Sequence, residues 1–206
     1  MKIIAVTDRK NSVRPFGEQI EMISSAGVDM IVLREKDLSP EEYLRLAEKI
    51  LSICEKYGTE FCVNTFADAA EKLGAKTVWI PYGDFDREKL RGFTAGVSVH
   101  SCEEGISAAE KGADFIVYGN VFETSCKPGK PAKGLSELKK LSGLDIPVYA
   151  IGGIDISNAR FVKEAGADGI CMMSGFMRSP DPRALAESLR KIRWYNIRYI
   201  GYMIQY

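Results

Sequence analysis

Several short clusters in this 206-residue chain carry groups able to move a proton or hold an anion. Arg34-Glu35-Lys36-Asp37 sets two cations beside two carboxylates. Arg34 and Lys36 suit phosphate oxygens, and Glu35 suits acid–base work. His100, in GVSVHS, is the only histidine. Imidazole is the side chain that ordinarily titrates nearest neutrality. The stretch 118–135, YGNVFETSCKPGKPAKGL, leaves an apolar run abruptly and offers Asn120, Thr124, Cys126 and Lys127. Cys126 could be a nucleophile only with a depressed pKa, and nothing in the sequence shows one. Gly152-Gly153 in AIGGI and Met173-Ser174-Gly175 in MMSGF place flexible backbone where N–H groups can approach phosphate oxygens closely. Asn64 and Ser98 add neutral hydrogen-bonding groups. One histidine rules out a multi-histidine metal centre, and five scattered cysteines without a CxxC pair give no zinc site.

These clusters share one placement. Each follows a short apolar run: Ile3–Val6, Met30–Leu33, Phe61–Val63, Thr77–Ile80, Gly96–Val99, Phe115–Tyr118, Val148–Ile151 or Gly169–Met172. Most of the runs are continuously apolar, as expected of strands covered on both faces. Segments of helical period separate them, and several end in glycine just before the next strand. Ser39-Pro40-Glu41-Glu42 opens one such helix, Gly58 closes it, and Pro182 marks the first turn of the last one. Eight βα units at about 26 residues each predict a compact, single-domain (β/α)8 TIM barrel over residues 1–193, smaller than the usual ~250 residues. The rival, an open doubly wound sheet, is disfavoured by the lack of a dinucleotide glycine fingerprint. Ligands bind at the C-terminal ends of barrel strands, so the clusters fall where chemistry occurs. The loops after strands seven and eight are a common phosphate seat.

Composition narrows the partners. Lysine plus arginine equals aspartate plus glutamate, at 28 each, which gives no reason to expect nucleic acid or an anionic membrane. No apolar run reaches the ~18 residues of a membrane span, and the N-terminus is too short in its apolar stretch for a signal peptide. Scattered cysteines fit a reducing compartment, so a cytoplasmic location is expected. The tail 194–206, WYNIRYIGYMIQY, is unusually aromatic. It is expected to extend the last helix over the barrel, with a subunit contact in a homodimer as the other reading.

At VLREK, GVSVHSCEEG, GADFIVYGNVFETSCK, YAIGGI and GADGICMMSGF the chain resembles the thiamin phosphate synthase / TenI family, over about residues 3–182. The resemblance implies one of two reactions. Synthases join hydroxymethylpyrimidine diphosphate to a thiazole phosphate, using magnesium. TenI-type tautomerases aromatise a phosphorylated carboxythiazole by proton transfer and need no cofactor. Synthases carry Asn-Asp after strand three, where this chain has Asn64-Thr65, and of their second acidic turn only Asp84 is kept. A hydroxyl is a poor substitute for a carboxylate on magnesium. VFETSCK is similar to the TenI-type loop, so the resemblance leans to a thiazole tautomerase, with the synthase as the alternative. A departure weakens both. The TenI pattern has histidine where this chain has Asn120, and an amide cannot shuttle a proton. The base would then be His100, or else Glu35. The expected substrate is a small phosphorylated thiazole, with its phosphate on Gly152, Gly153, Met173, Ser174 and Gly175. Its ring would lie near Asn64, Ser98, His100, Asn120 and Thr124, with Lys127 facing it. A third reading is a non-catalytic binder of phosphorylated thiazole or thiamin.

Overall fold

In the computed structural model, which describes residues 1–124, 129 and 131–192, eight parallel strands close on themselves in chain order. They are β1 (Lys2–Val6), β2 (Met30–Leu33), β3 (Glu60–Asn64), β4 (Thr77–Pro81), β5 (Thr94–Val99), β6 (Phe115–Gly119), β7 (Val148–Ile151) and β8 (Gly169–Met172). Closure runs from Lys2 opposite Gly169 to Ala5 opposite Met172. The expected (β/α)8 barrel is the observed fold, and all eight expected strands are present with no end moved by more than two residues.

Alternation sorts the apolar residues into two layers. Ile4, Val6, Val32, Trp79 and Val117 pack inside the barrel, whereas Ile3, Ala5, Ile31, Val63 and Ile116 pack outward against the helices. Each such burial stabilises by roughly 1.5–3 kcal/mol for a large aliphatic or aromatic side chain. Gly96 on β5 is required by the inner layer: a Cβ there would lie 2.1 Å from Cζ of Phe115.

The helices are α1 (Phe16–Ser25), α2 (Pro40–Tyr57), α3 (Ala67–Leu73), α4 (Cys102–Glu110), α5 (Leu135–Leu141), α6 (Ala159–Glu164), α7 (Ser174–Met177) and α8 (Pro182–Arg190). The expected caps of α2 form: Ser39 and Glu42 make a reciprocal capping box, and Gly58 closes the helix at φ 67°. Such an N-cap contributes about 1 kcal/mol. One expectation fails. The crossover from β4 to β5 holds only a 3-10 turn, Tyr82–Asp84, and no α-helix. Gly83, Asp84 and Asp86 are poor helix formers, and Asp86 accepts the Glu88 N–H at 3.1 Å, a local bond that competes with a helical one. The aromatic extension expected over 194–206 lies outside the described residues. Among the described residues, no helix is long and apolar enough to cross a membrane.

One clasp fixes the region after β8. Gln19 of α1 is fully buried, and its Nε2 donates to the carbonyls of Phe176 at 2.7 Å and Ser179 at 3.1 Å. Arg14 donates to Gln19 Oε1 at 2.8 Å and to the Ser179 carbonyl at 3.2 Å. The turn following Ser174-Gly175 is thereby held from the other side of the barrel seam.

Candidate active site

A pocket of about 610 Å³ opens at the C-terminal ends of the strands. That size suits a small organic ligand. Its floor is the top of the inner barrel layer, including Val6, Trp79, Val117 and Cys171. Burial pushes the Cys171 and Cys62 thiols well up, so both stay protonated and neither is a nucleophile. Cys126 lies outside the described residues.

The pocket gathers residues from nearly every strand end. Arg34 and Lys36 follow β2, Asn64 ends β3, and Ser98 and His100 come from the end of β5. Asn120 and Thr124 follow β6, Gly152 and Gly153 follow β7, and Met173, Ser174 and Gly175 follow β8. One expected member, Glu35, is not brought in. Lys127 falls outside the described residues. Glu35 is 3% exposed and does not line the pocket. Its Oε1 accepts from Thr7 Oγ1 at 2.7 Å and from the Arg9 N–H at 3.0 Å, and its Oε2 accepts from Arg9 Nη1 at 2.9 Å. Thr7 Oγ1 in turn accepts the Arg34 N–H at 2.9 Å. Glu35 is therefore placed as a buried anchor joining the loops after β1 and β2, away from the pocket lining. Periodicity could not reveal this, because a charge two residues past a strand can point either way.

The neutral half of the mouth is held by side chains that bond one another. Asn64 donates Nδ2 to the Trp79 carbonyl at 2.6 Å, and its Oδ1 accepts from Thr65 Oγ1 at 3.3 Å. Tyr43, whose phenol burial pushes far up in pKa, donates to the Leu33 carbonyl at 2.7 Å and accepts the Asn64 N–H at 3.3 Å. The Trp79 indole donates to Ser98 Oγ at 2.6 Å, fixing a flat wall beneath the opening.

His100 sits exposed at the rim, with Nδ1 2.6 Å from the Gly119 carbonyl oxygen. Its own N–H donates to Glu104 Oε2 at 2.6 Å. Asn120 is 3% exposed and has a different task. Its Nδ2 donates to the Phe122 carbonyl at 3.1 Å and reaches the Pro131 carbonyl at 3.5 Å. Lys133 N–H returns to the Asn120 carbonyl at 2.8 Å, and Gly134 N–H to Val121 at 3.0 Å. The amide thus ties both ends of the long β6 loop, which accounts for its chemistry without proton transfer.

The paired glycines after β7 have a packing reason of their own. Gly152 and Gly153 have φ of 103° and 65°. A Cβ on Gly152 would lie 2.4 Å from Asn120 Cβ, and one on Gly153 would lie 2.3 Å from the Glu123 carbonyl oxygen. Close approach of the β6 loop therefore requires glycine here, whether or not an anion is bound. Asn158 donates to the Gly153 carbonyl at 2.8 Å and steadies the turn.

Asp8, Asn11, Trp79 and Arg178 are among the lining residues not anticipated from sequence. Arg178 stands four residues past Ser174, one helical turn on, and that spacing was the available signal. Asp8 and Asn11 carried no signal, because the loop after β1 showed no motif.

Magnesium, which resemblance to the synthases implies, does not fit the donors present. Asp8 is the single carboxylate among the described residues lining the pocket, and its Oδ2 already accepts from Asn11 Nδ2 at 2.6 Å. Both polar atoms of the Asn64 side chain are engaged as well. Asp84 lies in the 3-10 turn and does not line the pocket. Magnesium needs hard oxygen ligands in strict octahedral geometry, commonly one or two carboxylates beside phosphate.

Comparison with known proteins places the whole barrel. A family model described as thiamine monophosphate synthase matches residues 3–176. The thiamine-phosphate synthase of Thermus thermophilus is 37% identical, covering 87% of this chain and 89% of its own. That of Geobacillus kaustophilus is 35% identical, covering 94% of each. The solved thiamine phosphate pyrophosphorylase from Pyrococcus furiosus superposes with a TM-score of 0.83 at 33% identity, covering 93% of this chain and 94% of that one. This chain belongs to the thiamine monophosphate synthase family.

Proposed function

We propose that this chain is an enzyme of thiamin phosphate synthesis and that it joins a pyrimidine diphosphate to a thiazole phosphate. The relatives favour this transfer over the isomerase that the VFETSCK loop suggested, since the matches at 37% and 35% identity carry the synthase name. The observation that carries the reading is the division of the mouth. One arc holds Arg34, Lys36 and Arg178 beside the glycine turns; the other is neutral, with Trp79, Ser98 and Asn64. A ring can lie on the neutral half while anionic groups meet the cations.

In this reaction the thiazole ring nitrogen attacks the pyrimidine methylene carbon. The C–N bond forms as the C–O bond breaks, and diphosphate leaves with the electron pair. Backbone N–H groups of Gly152, Gly153, Ser174 and Gly175 would hold the thiazole phosphate. Arg34 and Lys36 would take up the charge of the departing diphosphate. The chain's part is orientation and electrostatic stabilisation of the leaving group.

A second reading has its own observation. The carboxylate-poor mouth and the free Nε2 of His100 suit a one-substrate tautomerase, in which imidazole takes a proton from the carboxythiazole and returns it elsewhere on the ring. Both assays on one purified preparation decide. Thiamin phosphate formed from the two substrates supports the synthase. Aromatisation of the carboxythiazole phosphate with no coupling overturns it in favour of the tautomerase. Ligand-induced thermal stabilisation with neither turnover would leave a non-catalytic binder.

A further inference from the structure

Cations in this mouth occupy one continuous arc in which Asp8 is the single carboxylate among the described lining residues. The barrel order places the ends of β8, β1 and β2 side by side. Arg178 follows β8, Asp8 and Asn11 follow β1, and Arg34 and Lys36 follow β2; all line the pocket. Among the described residues, none of Arg34, Lys36 and Arg178 lies within ion-pair distance of a carboxylate. Arg9 and Lys10 on the same loop are instead spoken for. Arg9 pairs with Glu35 at 2.9 Å and Asp37 at 2.6 Å, and Lys10 with Asp37 at 2.8 Å.

Arg178 is also aimed. Its guanidinium donates to Asn11 Oδ1, and Asn11 Nδ2 donates to Asp8 Oδ2 at 2.6 Å. The one carboxylate among the described lining residues thus serves to orient an arginine at one remove. It does not neutralise that arginine directly.

We infer that this arc seats a diphosphate group on side-chain cations alone, with no divalent ion. Arg34, Lys36 and Arg178 replace the charge that a metal would bring, and the Asp8–Asn11 pair positions Arg178 for it. The inference rests on reading the pocket as a site for phosphorylated ligands, but not on which reaction follows.

Calorimetric titration of the full chain with inorganic pyrophosphate and with inorganic phosphate, each in EDTA and in magnesium buffer, tests it. Pyrophosphate should bind in EDTA at least tenfold tighter than phosphate, with less than a threefold change in Kd when magnesium replaces EDTA. Lys36→Met and Arg178→Met should each weaken pyrophosphate about tenfold. Asn11→Ala should weaken it by less, and only while Arg178 is present. Both cations are exposed, so ligand-free melting temperatures should be unchanged and serve as the folding control. Pyrophosphate that fails to bind in EDTA, that binds only with magnesium, or that ignores both substitutions overturns the inference. A failed coupling assay with these titrations intact would remove only the synthase reading. Chelator-sensitive coupling together with magnesium-dependent pyrophosphate binding would remove only the metal-free seat.

Discussion

His100 Nδ1 lies 2.6 Å from the carbonyl oxygen of Gly119, across the junction between β5 and β6. A carbonyl can only accept, so Nδ1 must carry the proton, and in the neutral ring Nε2 then holds the lone pair. The contact fixes both the tautomer and the ring orientation, leaving Nε2 available at the rim of the pocket.

If Nε2 moves a proton in the reaction, His100→Ala lowers kcat by ~10²–10⁴-fold, the usual contribution of a general acid or base. His100→Gln, which can keep a hydrogen bond but not the proton transfer, should fall as far. Equal kcat in the wild type and both variants would assign His100 to ligand contact alone, which is what the synthase reading expects of it.

Glu35 gives the opposite pattern. Glu35→Ala strips three hydrogen bonds from Thr7 and Arg9 in a buried setting, so unfolding in urea should show a loss of about 2–3 kcal/mol. Ligand affinity should fall with it, because Thr7 orients the Arg34 backbone. A stable variant with a large drop in kcat would restore Glu35 as a base.

Gly153→Ala meets both a left-handed backbone and a Cβ position 2.3 Å from the Glu123 carbonyl. Destabilisation of about 1–3 kcal/mol is expected, since the β6 loop must move. Asn120→Ala should cost about 1 kcal/mol and loosen the same loop, read as faster proteolysis within 120–134. Asn120→His tests the reverse point: a gain of tautomerase activity would show that the amide holds the position of a lost base.

Acid should weaken the fold through surface carboxylates. Hydrogen bonds and charge from Arg9 and Lys10 hold Asp37 well below its ordinary value of 3.8. Ser157, chiefly through its hydroxyl, does the same to Asp155, and the Ser39 cap to Glu42. Each has a folded pKa below its unfolded one. The stability they contribute is therefore present above the ordinary carboxylate range and is lost as pH falls through that range and below it. The urea midpoint should be flat near pH 6–7 and drop between about pH 5 and pH 2. Asp37→Asn should make the drop shallower; an unchanged slope would mean that Asp37 does not contribute.

Much of this barrel was determined by local sequence. Apolar runs covered on both faces pointed to parallel strands, and eight of them with helical spacers left closure as the simple topology. The Ser39 box, Gly58 and Pro182 marked helix ends because capping is a matter of neighbouring residues. Placement at strand ends also brought Arg34, Lys36, Ser98, His100 and Ser174 to one mouth. Direction was another matter. Whether Glu35 faced the pocket or the seam, whether Asn120 met a ligand or closed its own loop, and why Gly152-Gly153 had to be glycine all depend on contacts between segments distant in the chain. Asp8, Asn11 and Arg178 came together only because barrel closure sets β8 beside β1. Hydrogen-bond partners and counter-charges are chosen in three dimensions, and a linear pattern records the groups without recording which of them are already satisfied.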